Sequence, residues 1–490
     1  MRRTSRSWIA ATAASVVGVI LARVAQPFAP VSDIALTEIY AREAARLHLL
    51  VGPYSRFGWH HPGPLYFYWL APFYAVGGHT TAALNAGALT LSLATVAATA
   101  FVAEKQFGRP IALLLVVALL GFLVRVPPLI VSSWNAHAIV LPSVLLMLLA
   151  GGPAIAALAL VASFLVQTDV ALAPFVAAVV LIALVSNRPS AWRRALLGTA
   201  IVLAVVWLPV VIERDNVGQL WRFFVTNRAA GPGFGNAVAI WADAVTAPFR
   251  PGLLLAKGTP IEPTLSSVNV ALAIGLVAAT GAAVMFAIRR QKYALARFAF
   301  IAVASSVVTL IAATRIEGGL SDHQSFWFGI IGVVDLVCVV GVALPPMSIA
   351  PFLIPAAVTI VGLIGVYEMN MARQGIIPVT ESAYSAPNFA TSIRDYLQRT
   401  HAQRPLIRLD DHQWELGVGI LLQLDRADVP FAVDDDWMPM FPGRFRATGR
   451  EDAEITLAAR GSHRELAARP DNETVDVSTF IHVEAVPLRR

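Results

Sequence analysis

The chain has 490 residues, of which 57% are hydrophobic and 14% are charged, and its mean hydropathy is +0.66. This composition excludes a string of ordinary soluble domains and is typical of a polytopic membrane protein. The formal net charge is +6, but the basic residues cluster in short loops between apolar runs, a pattern that orients a protein in a bilayer. We therefore expect membrane lipids as the surroundings and no nucleic-acid partner.

The first apolar run follows the basic segment MRRTSRS and has the layout of a secretory signal. Cleavage after Ala25 would require a small residue three positions before the cut, where the chain has Arg23. We predict a retained first span. Arg2, Arg3 and Arg6 then lie in the cytoplasm, and the loop that follows the span faces outward.

That loop, residues 31–78, is unusually rich in ionisable groups for a segment between two long apolar runs. Such groups are costly beside a membrane unless they line a water-filled or ligand-filled cavity. The loop is therefore predicted to be an active-site loop. Its ionisable residues are Asp33, Glu38, Arg42, Glu43, Arg46, His48, Arg56, His60 and His61.

The end of the loop, PGPLYFYWLAPFYAVGG, is apolar but only about 17 residues long, near the lower limit for a span. Its prolines and aromatic residues are typical of a segment lying at the membrane interface. If it does not cross, the basic loops around Lys105, Arg194 and Arg297 all fall inside, as the positive-inside rule requires.

This topology predicts an all-α polytopic membrane protein of the following organisation. Residues 1–370 form the transmembrane domain, and residues 371–490 form a small extracytoplasmic α/β domain. About eleven spans are expected, near 8–29, 81–103, 109–124, 137–150, 152–168, 170–185, 195–212, 267–288, 298–314, 325–344 and 349–368. In the tail, NFATSIRDYLQRT predicts a helix, and RPLIRLDD, VPFAVDDDW and STFIHVEAV predict strands.

A first span, an outward loop with an acidic residue just past the membrane, an interfacial aromatic segment, many spans and an outward tail together resemble the GT-C glycosyltransferases that use polyprenyl-phosphate sugars. Within that superfamily the alanine-rich chain is similar to actinobacterial arabinofuranosyl- and mannosyltransferases of the cell envelope. The resemblance in architecture covers about residues 1–370. The residues that carry it are Asp33, Glu38 and the pair Asp322-His323.

The resemblance implies that an acceptor hydroxyl attacks the anomeric carbon while a lipid phosphate leaves. Such a reaction needs a carboxylate to take the proton and cations to stabilise the leaving charge. Asp33 is the predicted base. The structural alternative is that Asp33, or Ser32 beside it, only caps the helix IALTEIYAREAARL.

Other polar residues at outward span ends are candidates for contacts with phosphate or sugar. Each also has a structural interpretation: a basic residue can reach lipid headgroups, a polar residue can bond a neighbouring helix, and Glu38 can pair with Arg42 one turn later. A metal site built from His60, His61, Asp322, His323 and Asp33 is a further alternative, but a required cofactor is not predicted. The predicted substrate-binding residues are Glu38, Arg56, His60, His61, Asn135, His137, Asp169, Arg315, Asp322 and His323.

The sequence thus predicts an inverting glycosyltransferase of the bacterial plasma membrane whose active site faces outward. Its partners would be a polyprenyl-phosphate-linked sugar donor, carrying a pentofuranose such as arabinose, or mannose, and a glycan, lipid or protein acceptor. The alternative is a transporter or flippase for a lipid-linked glycan. A third interpretation is an assembly partner for envelope enzymes, without catalytic activity of its own.

The loop charges make the topology testable. Reporters fused after Arg109, Arg194 and Arg297 should report the cytoplasm, and one fused after Arg373 should report the outside. A cytoplasmic signal after Arg373 would mean that PGPLYFYWLAPFY crosses the bilayer and that the active-site loop lies on the other face.

Overall fold

The fold is seen in a computed structural model that describes residues 29–126, 129, 132–187, 189–227, 231–249, 260–343, 385–410, 413–459, 473–477 and 481–487. Helices dominate the described part of the chain, and the strands are concentrated in its C-terminal part. The helices up to residue 343 are α1 (Ser32–Ala45), α2 (Leu65–Val76), α3 (Thr81–Phe107), α4 (Arg109–Arg125), α5 (Asn135–Ala138), α6 (Val140–Ala150), α7 (Ile155–Thr168), α8 (Ala173–Ser186), α9 (Pro189–Ile212), α10 (Arg214–Thr226), α11 (Phe234–Thr246), α12 (Ser267–Arg289), α13 (Tyr293–Ala313) and α14 (Gly329–Ala343).

Apolar helices identify the chain as a membrane protein. Within the described residues, five are long and apolar enough to cross a bilayer: Thr81–Phe107, Ala195–Ile212, Ser267–Arg289, Tyr293–Ala313 and Phe326–Ala343. Shorter apolar helices coincide with the predicted spans near 109–124, 137–150, 152–168 and 170–185. The predicted span 349–368 lies outside the described residues, as does nearly all of 8–29. The number of eleven spans therefore stays a prediction.

Helix α2 contains the aromatic segment that was predicted to lie at the interface. Its 12 residues rise about 18 Å, well short of the roughly 30 Å hydrocarbon core. Its polar aromatic groups bond to surrounding backbone: the Tyr66 hydroxyl donates to Ser133 O at 2.8 Å, the Tyr68 hydroxyl to Leu49 O at 2.9 Å, and Trp69 Nε1 to Gly87 O at 2.9 Å. The helix is therefore shorter than a typical span and is bonded to the segments around it.

The C-terminal part is a small α/β domain, as predicted. Its elements are α15 (Ala386–Thr400), β3 (Pro405–Leu409), α16 (Trp414–Arg426), β4 (Ala432–Val433), β5 (Ala453–Ala459), β6 (Glu473–Val477) and β7 (Ile481–Pro487). The strands β1 (Tyr54–Ser55) and β2 (Trp59–His60) lie elsewhere, in the loop 31–78, where they form a hairpin with two residues in each strand. The sheet order is β4-β3-β5-β7-β6, with parallel pairs on both sides of β3 and antiparallel pairs from β5 onward. The predicted boundary near residue 371 lies outside the described residues.

Helix α1, the start of the active-site loop, is clamped between α2 and α16. Gly419 of α16 sits so close to the preceding segment that a Cβ there would lie 2.7 Å from Val31 Cγ1 and 2.9 Å from Pro30 O. A larger residue at this position would push the domain away from the start of α1. The C-terminal domain therefore packs directly against the segment that carries Asp33.

An ion pair between α1 and α16 holds this contact. Glu38 is fully buried, and both of its oxygens accept hydrogen bonds at 2.7 Å from the Arg426 guanidinium. Thr81 Oγ1 and the Tyr74 hydroxyl also donate to this carboxylate, at 2.6 and 3.3 Å. The expected pairing of Glu38 with Arg42 is not formed, because Arg42 turns instead to Asp425 and Asp428, at 3.4 and 2.5 Å.

A second group of ion pairs between α1 and the C-terminal domain lies beside the pair of Glu38 and Arg426. The Arg444 guanidinium binds Asp425 through two hydrogen bonds, at 2.6 and 2.9 Å, and its Nε donates to Glu43 at 2.7 Å. Paired and hydrogen-bonded charges of this kind are tolerated in a buried interface, whereas a charge left alone there is strongly destabilising. The interface is therefore sensitive to the loss of either partner.

Replacing Arg426 should expose that sensitivity. Arg426→Ala leaves the buried Glu38 carboxylate uncompensated and should lower the free energy of unfolding by about 3–5 kcal/mol. Adding Glu38→Gln removes the stranded charge and should recover part of the loss. The readout is thermal unfolding in detergent, with the exposed Arg394→Ala as the matched control. Equal unfolding temperatures for Arg426→Ala and Arg394→Ala would contradict a stabilising role for the pair.

Candidate functional site

Asp33 lies in the first turn of α1, next to a strained residue. Ser32 has φ +54°, a left-handed conformation that costs energy for a residue other than glycine. The N-cap residue is Val31, and no side chain caps the helix. The capping role considered for Ser32 and Asp33 is therefore not formed, which leaves the Asp33 carboxylate available for other contacts.

The Asp33 carboxylate is held by an indole across the site. Trp134 Nε1 donates to Asp33 Oδ2 at 3.0 Å. Burial raises the pKa of Asp33 to about 6; the hydrogen bond from Trp134 opposes this rise, and the Glu415 carboxylate of α16 adds to it. A carboxylate with such a pKa is charged at neutral pH yet can accept a proton readily.

Two of the predicted histidines flank the same indole. The His323 ring lies 5.3 Å from the Trp134 ring and the His137 ring 5.1 Å from it, each measured between centroids. His323 Nδ1 is buried without a hydrogen-bond partner among the described residues. Burial lowers the pKa of His323 against the opposing pull of Asp169 and Asp322, with Arg56 adding to the lowering. An uncharged His323 ring therefore packs beside the Trp134 indole that binds Asp33.

His60 and His61 face different neighbours. The Tyr40 hydroxyl donates to Met440 O at 2.6 Å, so His60 Nε2, 3.2 Å from the same hydroxyl, must be the donor in their contact. His61 Nδ1 accepts from Val170 N at 2.9 Å and lies 3.8 Å from Asp169 Oδ1. Burial, together with the adjacent His61, lowers the pKa of His60 to about 4, and burial also lowers the pKa of His61 despite Asp169.

Loop contacts bring further predicted residues to this region. Arg56 Nη2 donates to Glu317 O at 2.8 Å and to Gly319 O at 3.0 Å, which ties the active-site loop to the loop that carries Asp322 and His323. Asn135 Nδ2 donates to Thr168 O at 3.4 Å, next to Asp169. Four segments that are distant in the sequence therefore meet around Asp33 and Trp134.

Two predicted residues are placed differently, and a metal site is not assembled. Glu38 points to the C-terminal domain, with its oxygens occupied by Arg426, Thr81 and Tyr74. Arg315 is exposed at the end of α13. Among the described residues, no group of three or more His, Cys, Asp and Glu side chains could hold a metal ion. The alternative of a His and carboxylate metal site thus does not fit the described residues.

Two features were missed from the sequence. The partnership of Trp134 with Asp33 joins residues 101 positions apart, and no local pattern indicates it. Asp335 is a fully buried carboxyl within α14, inside the apolar run GIIGVVDLVCVV. That second feature could have been found, because an acidic residue inside a span is costly and rarely without a role.

Comparison with solved structures shows that the chain has a known fold. The chain is similar to ArnT from Cupriavidus metallidurans in the apo state, with a TM-score of 0.62 at 13% identity, covering 98% of each chain. It is also similar to ArnT from the same organism bound to undecaprenyl phosphate, with a TM-score of 0.59 at 14% identity, again covering 98% of each chain. No family model and no curated relative match the sequence. At this level of identity, the likeness establishes the fold.

Proposed function

We propose that this protein is an inverting glycosyltransferase that moves a sugar from a polyprenyl-phosphate donor to an envelope acceptor on the extracytoplasmic face. The observation that carries the proposal is the desolvated Asp33 carboxylate, hydrogen-bonded by the Trp134 indole, which the His137 and His323 rings flank. A general base works best with a pKa near the operating pH, and Asp33 meets that condition.

In the proposed step, the oxygen of an acceptor hydroxyl attacks the anomeric carbon of the donor sugar. The bond from that carbon to the phosphate oxygen breaks, Asp33 takes the hydroxyl proton, and polyprenyl phosphate leaves. A single displacement of this kind inverts the anomeric configuration. Arg56, His61 and His323 are proposed to contact the phosphate or the sugar, where fixed donors stabilise the charge that develops on the leaving group.

A lipid-linked donor is supported by two observations. One solved structure of the same fold, that of ArnT, was obtained with undecaprenyl phosphate bound. In the present protein, an apolar groove of about 320 Å³ lies between α7, α8 and α9, and Val210 of α9 reaches the active-site loop at Gly63. We propose that the lipid chain lies between the spans close to α2, with its phosphate toward Asp33. The sugar is proposed to be a pentofuranose such as arabinose, or mannose, on the resemblance given above.

Replacing Asp33 tests the base directly. Asp33→Asn keeps the size of the side chain and one oxygen to accept from Trp134, but it removes the proton acceptor. Transfer of labelled sugar from a synthetic polyprenyl-phosphate donor by the purified protein should fall by roughly 10²–10⁴-fold, with donor binding retained. The exposed Asp395→Asn is the matched control and should keep wild-type turnover.

The outcomes of that assay separate the alternatives. Wild-type turnover in Asp33→Asn would remove Asp33 from the mechanism. Transport of a lipid-linked glycan by a wild-type protein that never transfers sugar would favour the transporter.

The pH dependence of transfer provides a second test. Because a protonated Asp33 cannot act as a base, kcat/KM should rise about tenfold per pH unit below a midpoint near pH 6 and level off above it. Trp134→Phe removes the hydrogen bond that favours the charged form and should move this midpoint upward by about one unit. Trp437→Phe removes an indole donor in the C-terminal domain and should leave the midpoint unchanged. An identical midpoint in wild type and Trp134→Phe would contradict the assignment of the titration to Asp33.

A further inference from the structure

A cavity of about 1050 Å³ lies against Tyr40 of α1, where three distant parts of the chain meet. Its walls come from α1 and the loop that follows it, from α10, and from residues 435–446 of the C-terminal domain. Pockets for single small molecules usually measure about 300–1,000 Å³. This cavity therefore has room for a ligand larger than one sugar residue.

One wall is aromatic. The Phe57 and Trp59 rings stack at 6.3 Å with an angle of 21°, and Phe223 of α10 lies 5.0 and 5.4 Å from them, measured between ring centroids. Phe441 adds a further ring from the C-terminal domain. The faces of aromatic rings attract the apolar C–H face of a sugar ring. An aromatic wall therefore suits a sugar ring better than it suits a purely polar ligand.

The indole of Trp59 is a packed part of this wall. Trp59 is only 6% exposed, whereas Phe57 is 36% exposed. Phe57 is therefore the more accessible ring of the pair for a ligand in the cavity.

The remaining lining carries both signs of charge. Carboxylates come from Glu213 and Asp435, and guanidinium groups come from Arg222 and Arg446, while the lining residues Glu43 and Arg444 bond to each other. Carboxylates only accept hydrogen bonds and guanidinium groups only donate them, whereas a hydroxyl does both. A lining of mixed sign beside aromatic rings fits a hydroxyl-rich molecule better than an apolar chain or a polyanion.

The cavity is next to the proposed base. Tyr40 lines it and lies seven residues after Asp33 on α1, which is nearly two turns, so the two residues share a face about 10 Å apart. His60, which contacts the Tyr40 hydroxyl, also lines the cavity. A chain of sugars in the cavity could therefore present its terminal hydroxyl toward Asp33.

From this arrangement we infer that the cavity binds the acceptor, and that the acceptor is a glycan of two or more sugar residues held jointly by the active-site loop and the C-terminal domain. The inference rests on the proposed function and adds to it the acceptor class. It also gives the C-terminal domain a role in acceptor recognition.

Direct binding tests the inference without requiring turnover. The probes are octyl glycosides of one to four mannose or arabinofuranose residues, titrated by calorimetry against the full-length protein in detergent. For at least one of the two sugars, affinity should increase from one residue to three. Phe57→Ala, which removes an exposed ring of the aromatic wall, and Asp435→Asn should each weaken binding by roughly fivefold to tenfold. Asp436→Asn, an exposed neighbour outside the lining, is the matched control and should bind as wild type does.

Two controls keep the result decisive. Thermal unfolding and the binding of undecaprenyl phosphate should be unchanged in the variants, and the exposed Arg446→Gln replaces Phe57→Ala if that variant fails to fold. The inference is overturned if no glycoside binds, if affinity does not grow beyond one residue, if the variants bind as wild type does, or if undecaprenyl phosphate displaces the glycoside. Glycoside binding with the expected losses, but without sugar transfer from any polyprenyl donor, would keep the glycan site and overturn the proposed enzyme.

Discussion

The desolvation of one carboxylate is the constraint on which the site depends. Water would hold the pKa of Asp33 near its ordinary value, but burial raises it to about 6, while a single indole donor keeps the charged form accessible. Such a balance requires the start of α1 to stay in one place. A small displacement would admit water, break the contact with Trp134, or both.

The rest of the structure can be understood as the means of fixing that position. Helix α2 packs against one face of α1, and its Tyr74 hydroxyl reaches Glu38. The pair of Arg426 with Glu38 and the close approach at Gly419 fix α1 to α16. Glu415 on the same helix α16 contributes to the pKa of Asp33. The C-terminal domain therefore both packs against the segment that carries Asp33 and contributes to the pKa of Asp33.

Local patterns in the sequence predicted much of this architecture. Hydropathy placed most of the apolar helices, and alternating patterns indicated the α/β character of the tail. Hydropathy also placed His137 and His323 at the ends of apolar runs, and in the structure their rings flank Trp134. These inferences succeeded because each depends on residues close together in the chain.

Contacts between distant segments could not be predicted in this way. Glu38 was expected to pair with Arg42 four residues later, but its partner is Arg426, 388 positions away. The helix-cap alternative for Asp33 looked sound from residue type and failed because Val31 occupies the cap position. In both cases a rule for isolated helices gave way to tertiary packing. For Glu38, the Arg426 guanidinium binds both carboxylate oxygens at once, and such a two-pronged pair is stronger than a single contact along one helix.

The account rests on Asp33 acting as a base, and the stereochemistry of the product tests that role most directly. A base promotes one displacement at the anomeric carbon, whereas a carboxylate acting as nucleophile would promote two. The measurement is the anomeric configuration of the transferred sugar, determined by NMR on the product made from a synthetic polyprenyl-phosphate donor of known configuration. The account predicts a configuration opposite to that of the donor, and a retained configuration would contradict it.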